Sequence, residues 1–565
     1  KNEGVMKKTN KAIVLLALFA TGAMPLFSQN ETFTMRQVVC ALSQPWEITY
    51  GPDNWLWVTE AHNYQVSRIN PASGEQNVLL DLSDRKNFPN NFTPFPQGGL
   101  MGLALHPQFN EKPYVYLAYV YRFDTCLSGN QGCFFKTKVV RYTYSTQGDS
   151  LFSEQILCDT IPGSTDHNGG RMVIDLTDNE YYLFYSVGDM GAGHLGNRDR
   201  PNHAQDQNKY EGKILRFSLE PDEDAGLFDR WIPEDNPFNL LPDAQSAVWT
   251  LGHRNPQGLV FGENNILYEA EHGPYSDDEL NILVAGGNYG HPLVSGFADG
   301  NYDGSAVGAG SGVPIIDSEA ANAASLTSYH DPIETFFPAG MDTVSAIYNN
   351  DKNNTPPFPN YYLSWPTMAP SGIDYYNSAG IPGWDNSILL ASLKLATMYR
   401  VKLSAGGEAV SSDTIPYFAG MGRFRDIAIS PDGKKIYLAC DSVGQIKGPE
   451  NGTALPPPNR GCILEFTYAT TAVSDPPAEA FRLFPNPASQ TLTLDLNRLP
   501  AGPLRIRAFN YLGTLVYDRE LEKQPQAPLT LDVSSWPEGQ YVLSVQPGGA
   551  EQRQFRQKVT VARGN

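Results

Sequence analysis

The amino-acid sequence predicts an all-β protein: a six-bladed β-propeller followed by a small Ig-like β-sandwich. Three observations carry this. The 565 residues include 51 glycines, 43 prolines and 29 tyrosines with only 18% charged residues, and long helix-period stretches are absent, which together favour a loop-rich all-β chain. Six segments repeat one hairpin grammar. After Tyr468 the composition shifts to a small-residue, proline-containing linker and then to short strands.

In chain order, Met6-Lys7-Lys8, the apolar run "AIVLLALFATGA" and "PLFSQN" read as a signal peptide over residues 1–29. The run is too short for a comfortable membrane span, and no other segment qualifies. The propeller is assigned to residues 30–468. Its clearest hairpins are "WEITYGPDNWLWVTE", "RMVIDLTDNEYYLFYSVGD", "GLVFGENNILYEAEHG" and "RDIAISPDGKKIYLACD"; "MGLALHPQFNEKPYVYLAYVY" and "SGIDYYNSAGIPGWDNSILLASLK" are looser copies. Each joins a short apolar strand to an aromatic-rich one through an Asp/Asn/Gly turn. Six such hairpins fit a propeller better than a sandwich, although composition alone leaves a β-sandwich enzyme open. The Gly-, Ala- and Ser-rich stretch from about Gly300 to Pro338 is expected to be loop. A linker over 469–480 precedes the C-terminal domain, 481–565, whose strands are "FRLFPNPASQTLTLDL", "IRAFNYLGTLVYD", "LTLDVSSWPEGQYVLSV" and "QFRQKVTV".

The net charge is -20. Such a field repels nucleic acid and anionic membranes, so a small neutral substrate or a metal is the expected partner. All six cysteines lie beyond residue 29, which suits an oxidising compartment. Cys126 and Cys133 bracket the turn-rich "LSGNQG" and should pair; the other four could pair in three ways or stay reduced.

Antiparallel pairing places the residue entering the first strand and the residue leaving the second at the same end of a hairpin. At that phase stand Gln97, Asp166-His167, Arg254-Asn255, Tyr362, Trp365, Arg423, Arg425, Asp189, Gly273-Pro274 and Lys394. The turn ends carry only Pro, Asp, Asn and Gly. One face should therefore be the ligand face. Lys394, Arg423 and Arg425 suit a small multi-carboxylate ligand, and strand alternation sends both arginines to one side of Phe424. His167 beside Asp166 reads as a general base with a carboxylate to fix its tautomer. In "EHGPYSDDELN" the Gly273-Pro274 carbonyls and the hard oxygens of Asp277, Asp278 and Glu279, with the Tyr289 carbonyl and Asp299, are the ligand type Ca²⁺ takes. Gln97 could orient a hydroxyl, and Tyr362 with Trp365 could face a sugar ring. No G-x-S-x-G, Walker, Rossmann or H-E-x-x-H motif occurs.

At "TLGHRNPQGL", "EHGPYSDDELNILVAGGNYGHP", "DHNGGRMVI", "SWPTMAPS", "SLK" and "RFRDIAISPDG", the chain from about Thr32 to Tyr468 resembles the soluble quinoprotein glucose dehydrogenases. These are six-bladed aldose dehydrogenases that use pyrroloquinoline quinone (PQQ) and Ca²⁺. The resemblance implies that His167 is the base, supported by Asp166, and that Arg254 lies near the reacting quinone carbonyl. It implies that Asn255, Lys394, Arg423, Arg425 and Thr367 hold PQQ, and that the Gly273 and Pro274 carbonyls bind the Ca²⁺ that polarises the quinone. Asp278, Glu279, the Tyr289 carbonyl and Asp299 match a structural calcium pair. Gln97, Tyr362 and Trp365 match sugar-contacting positions. The expected reaction is hydride transfer from a sugar's anomeric carbon, giving a lactone, with an external electron acceptor reoxidising the cofactor.

Two departures stand out. The family's "GDQG" reads "GDMG", placing Met190 where a sugar-binding glutamine would stand, and His272 replaces a glutamine before Gly-Pro. Met190 leaves open a dehydrogenase for another polyol or aldehyde. A non-catalytic propeller binding a glycan or protein at the same face is the reading from another class; a base beside a trianion cradle argues against it. The C-terminal segment resembles the sorting domain of the type IX secretion system of certain Gram-negative bacteria, on "FPNPAS", "WPEGQY" and "RQKVTV". Two export signals point to the cell surface or medium.

Overall fold

The computed structural model describes residues 31–563 apart from 178–179, 225, 227, 240–244, 354–360, 450–451, 470–480, 498, 500–501, 511–514, 526 and 548–554. The signal-peptide assignment and nearly all of the linker lie outside the described residues. The chain divides into two compact units, split between Ala469 and Thr470.

The first unit contains six four-stranded antiparallel sheets. Blade 1 comprises Pro45–Tyr50, Leu56–Glu60, Gln65–Ile69 and Gln76–Asp81. Blade 2 runs from Leu100–Leu105 to Ser150–Gly163, and blade 3 from Met172–Thr177 to Val248–Leu251. Blade 4 comprises Pro256–Phe261, Leu267–Glu271, Asp278–Leu283 and Glu334–Phe336. Blade 5 spans Pro370–Tyr376 to Val410–Tyr417. Blade 6 takes Phe424–Ile429, Lys435–Cys440 and Ile463–Ala469 from the C-terminal side and Thr32–Val39 from the N-terminal side. Each of the six sequence hairpins is the first strand pair of one blade, as its register shows.

The first strands of all six blades line one axial channel of about 540 Å³. Arg171 lines it at the strand-start end, with Nη1 2.6 Å from Glu47 Oε2 and 2.8 Å from Asp426 Oδ2 while Nε donates to the Gln257 carbonyl at 2.9 Å. Apolar cores fill the spaces between neighbouring blades, for example Tyr116, Val139, Leu183 and Leu215 between blades 2 and 3. The ring is sealed by Thr32–Val39 pairing with Ile463–Ala469, and Cys40 is disulfide-bonded to Cys462. The expected Cys126–Cys133 bridge is present, and Cys158 and Cys440 are buried thiols. The small-residue stretch expected to be loop, about Gly300 to Pro338, follows the third strand of blade 4, carries one short helix, Glu319–Ser325, and, against that expectation, includes the blade's fourth strand, Glu334–Phe336.

The second unit has a three-stranded and a four-stranded sheet. Leu492, Leu494 and Leu531 of one and Ile506, Leu543, Val545 and Val559 of the other share a single core. This is a two-layer sandwich. Among the described residues no helix is long and apolar enough to cross a membrane.

Candidate active site

The end of the propeller opposite the hairpin turns holds a pit of two adjoining chambers. One, about 240 Å³, is lined by His167, Arg254, His272, Gly273, Pro274, Asp278, Tyr362, Trp365, Thr367 and Lys394. The other, about 300 Å³, is lined by Trp46, His62, Phe95, Gln97, Gln257, Arg425 and Asp441. Arg423 and Gly444 line both. A larger cleft of about 680 Å³ on the outside of blades 2 and 3 has no histidine or arginine in its lining. The pit therefore gathers hairpin entries and exits from separate blades, as the antiparallel phase predicts.

His167 sits just ahead of blade 3 with φ 49°, in the left-handed region. Its Nδ1 meets Asp189 Oδ1 at 2.7 Å. Asp189 also accepts from His291 Nε2 at 2.9 Å, from the Gly191 amide at 2.9 Å and from Asn202 at 3.1 Å. Burial works against this carboxylate, but His167 and His291 outweigh it and hold Asp189 well below the ordinary carboxylate range. The expectation that Asp166 orients the ring is corrected here. Asp166 Oδ1 is 4.0 Å from His167 Nε2; it accepts from the His167 amide at 3.1 Å and from Gln97 Nε2 at 2.8 Å. Adjacent side chains diverge from the backbone, so the sequence neighbour holds the loop while the exit residue of the next strand reaches the imidazole.

Arg254 is buried; Nη1 donates to the His272 carbonyl at 3.2 Å and Nη2 lies 3.2 Å from His194 Nε2, while Nε has no partner among the described residues. Asn255 Oδ1 accepts from the Gly169 amide at 3.2 Å, tying the His167 loop to blade 4. Lys394 Nζ donates to the carbonyls of Trp365 and Tyr362 and to Thr367 Oγ1, at 2.5, 3.2 and 2.6 Å. Burial pushes Lys394 down to about 7 even though Asp278 opposes the shift. Arg425 binds Asp441 through Nε and Nη2 at 2.9 and 2.8 Å and Gln257 through Nη1 at 2.7 Å; Arg423 Nε meets the same carboxylate at 3.0 Å. Strand alternation does bring both guanidiniums together, on an aspartate that was not anticipated.

The predicted sugar-contacting residues divide. Gln97 lines one chamber, Tyr362 and Trp365 the other, and Trp365 stands edge-on to Tyr275 at 4.9 Å. Met190 does not line the pit: it is fully buried in the apolar core shared by blades 2 and 3, because its backbone (φ 65°) turns the side chain inward. The buried histidine in this loop that reaches the site is His194, whose ring centroid is 5.8 Å from that of His167.

The metal assignments divide as well. Gly273 and Pro274 line the pit. Asp278 and Glu279 are consecutive in a strand and so face opposite sides. Asp278 lines the pit and accepts the Gly273 and Ala369 amides at 2.9 and 3.2 Å, whereas Glu279 Oε1 accepts the Gly296 amide at 2.7 Å. They do not share one ion. Asp299 is exposed on the loop that Gly296 ties to Glu279, and the Tyr289 ring stacks on His253 at 4.8 Å.

The donor set fits a flat polycarboxylate. Two buried nitrogens of pit-lining residues, Arg254 Nε and His272 Nε2, lack partners among the described residues, and four cations, Arg254, Lys394, Arg423 and Arg425, line the two chambers. Residues 42–328 and 338–447 match the glucose/sorbosone dehydrogenase family. The chain belongs to that family. Residues 482–561 match the secretion system C-terminal sorting domain. Quinoprotein glucose dehydrogenase B of Acinetobacter calcoaceticus is 32% identical over 495 residues, covering 81% of this chain and 97% of the relative. Aldose sugar dehydrogenase YliI of Escherichia coli is 26% identical, covering 74% and 94%. Among solved structures, the soluble aldose sugar dehydrogenase of E. coli in its apo form superposes with a TM-score of 0.53 at 22% identity, covering 78% of this chain and all of the other. That likeness shows the shared fold.

Proposed function

We propose that this member of the glucose/sorbosone dehydrogenase family is an exported PQQ-dependent enzyme that oxidises an aldose at its anomeric carbon to the lactone. The observation that carries the reading is the His167–Asp189 pair opening onto the chamber that Arg254 and Lys394 also line. Lys394, Arg423, Arg425, Arg254 and Thr367 would hold the cofactor's carboxylates and carbonyls. When bound, PQQ supplies an ortho-quinone that accepts the hydride leaving the sugar carbon. With Nδ1 engaged by Asp189, His167 presents Nε2 as the proton acceptor for the sugar hydroxyl, and Asp189 stabilises the resulting imidazolium. Gln97, Tyr362 and Trp365 would orient the ring. Gly273 and Pro274 are where a Ca²⁺ ion would sit beside the quinone. An external acceptor must then remove two electrons. Met190, buried in the core, offers the substrate no group, and a dehydrogenase for another polyol or aldehyde is the outcome that the sugar panel below separates. The sorting-domain match supports export to the surface or medium of a Gram-negative cell.

Purified apo-protein given PQQ and Ca²⁺ should reduce a dye with a panel of aldoses. His167→Ala should abolish turnover while the cofactor stays bound. Cofactor binding without any sugar turnover would sink the aldose reading, and an unchanged rate in the variant would remove His167 from its role.

A further inference from the structure

Blade 4 carries a buried polar cluster on the side facing blade 3. Glu269 stands opposite Asn281 and Glu271 opposite Glu279 in the register of strands Leu267–Glu271 and Asp278–Leu283. The two-residue period of a strand puts all four on one face. Leu267 and Leu283 of that face pack with Phe184, Ile214 and Trp249, so its surroundings are an apolar core. Three carboxylates are nonetheless buried there, and among the described residues no lysine or arginine side chain bonds to them. Glu271 accepts the Arg254 and Asn255 amides through Oε2 at 2.6 and 3.2 Å and has His253 Nδ1 3.2 Å from Oε1. Asn281 Nδ2 is shared between Glu269 Oε2 and Glu279 Oε2 at 2.9 and 3.1 Å. Glu269 Oε1 and Asn281 Oδ1 are buried with no partner among the described residues.

A fully buried carboxylate with a bare oxygen is too costly to persist as an isolated anion. It needs a cation or a proton. His253, Glu269 and Glu271 offer ligand atoms that all lie within 4.8 Å of one another. Two donors each about 2.0–2.2 Å from one ion stand at most about 4.4 Å apart, so these atoms would draw in by a few tenths of an ångström at most to close on it. The imidazole is already oriented from behind, with Nε2 2.8 Å from Thr250 Oγ1 and the Tyr289 ring stacked against it. That is the supporting shell a metal-bound histidine has.

We propose that His253, Glu269 and Glu271 hold a divalent transition-metal ion between blades 3 and 4. One imidazole with two carboxylates suits Zn²⁺ or Mn²⁺, whereas Ca²⁺ takes oxygen ligands alone. The ion would be structural. Its effect on the reaction would be positional, because Glu271 grips the backbone of Arg254 and Asn255 with its other oxygen.

The full-length protein is dialysed against Zn²⁺, and separately Mn²⁺, in excess Ca²⁺ that saturates all-oxygen sites, and retained metal is measured by mass spectrometry. Wild type should keep one more equivalent per chain than Glu269→Gln, which preserves side-chain shape, and His253→Asn should lose the same equivalent. Near-ultraviolet circular dichroism checks that the variants are folded. The idea fails if wild type keeps no Zn²⁺ or Mn²⁺, or if a folded Glu269→Gln keeps as much as wild type. It also fails if the infrared spectrum of wild type under excess Zn²⁺ retains a protonated-carboxyl band that Glu269→Gln lacks, since a proton would then hold the site.

Discussion

Replacing Asp189 by Asn separates the two aspartates that flank His167. Asp189 Oδ1 lies 2.7 Å from His167 Nδ1, and its side chain is shut off from solvent. A unit charge about 3 Å from a forming imidazolium is worth roughly 5 kcal/mol at an effective dielectric near 20. The amide keeps a dipole but not the charge, so most of this is lost. We expect kcat to fall by about 10³–10⁴-fold, or roughly 4–5.5 kcal/mol. Asp166→Asn removes a carboxylate whose hydrogen bonds, among the described residues, go to the His167 amide and Gln97; it stands 4.0 Å from His167 Nε2 and is partly exposed to solvent that screens it, so it should cost less than Asp189→Asn. The assay is steady-state dye reduction with PQQ- and Ca²⁺-loaded protein and saturating aldose. It is run well below the unfolding midpoint of each variant, with cofactor affinity measured alongside. A greater loss in Asp166→Asn, or an Asp189→Asn enzyme keeping more than a tenth of wild-type kcat with normal cofactor binding, would refute the assignment of the orienting carboxylate.

Three other outcomes follow from the geometry. Met190→Gln buries an amide in the core between blades 2 and 3 and should cost about 1–3 kcal/mol of stability by urea unfolding; a change in sugar preference at unchanged stability would put the side chain back in the pit. Cys40→Ser frees the N-terminal strand that closes blade 6, across a separation of 422 residues, and should cost about 2–4 kcal/mol; a loss under about 0.5 kcal/mol would mean that strand pairing closes the ring unaided. Burial raises Asp374, on the first strand of blade 5, to about 7 from its ordinary 3.8. The folded state therefore holds this proton more tightly than the unfolded one, and the stability it contributes is full below pH 3.8 and lost as pH rises to about 7. Asp374→Asn should remove that decline, and an identical pH dependence of the unfolding midpoint would disprove it.

Strand pairing within a hairpin is local, so alternation and turn residues expose it in one dimension. That is why all six blade-opening hairpins, the gathering of their entries and exits at one end, the Cys126–Cys133 bridge and the convergence of Arg423 with Arg425 were legible from the chain alone. Contacts between loops of different blades have no such signature. Asp189 meeting His167 and His291, Asp441 between two arginines, Cys40 reaching Cys462 and His194 against Arg254 all depend on where radial packing brings distant loops. The same packing turned Met190 into the core, since burial is settled by neighbours that sequence order does not name, whereas Asp278 and Glu279 part for the local reason that strand neighbours face opposite sides. The amino-acid sequence by itself thus determined the blades and the residues at their open ends; the tertiary structure alone decided which of those residues touch, because three-dimensional proximity across blades is set by the closure of the ring.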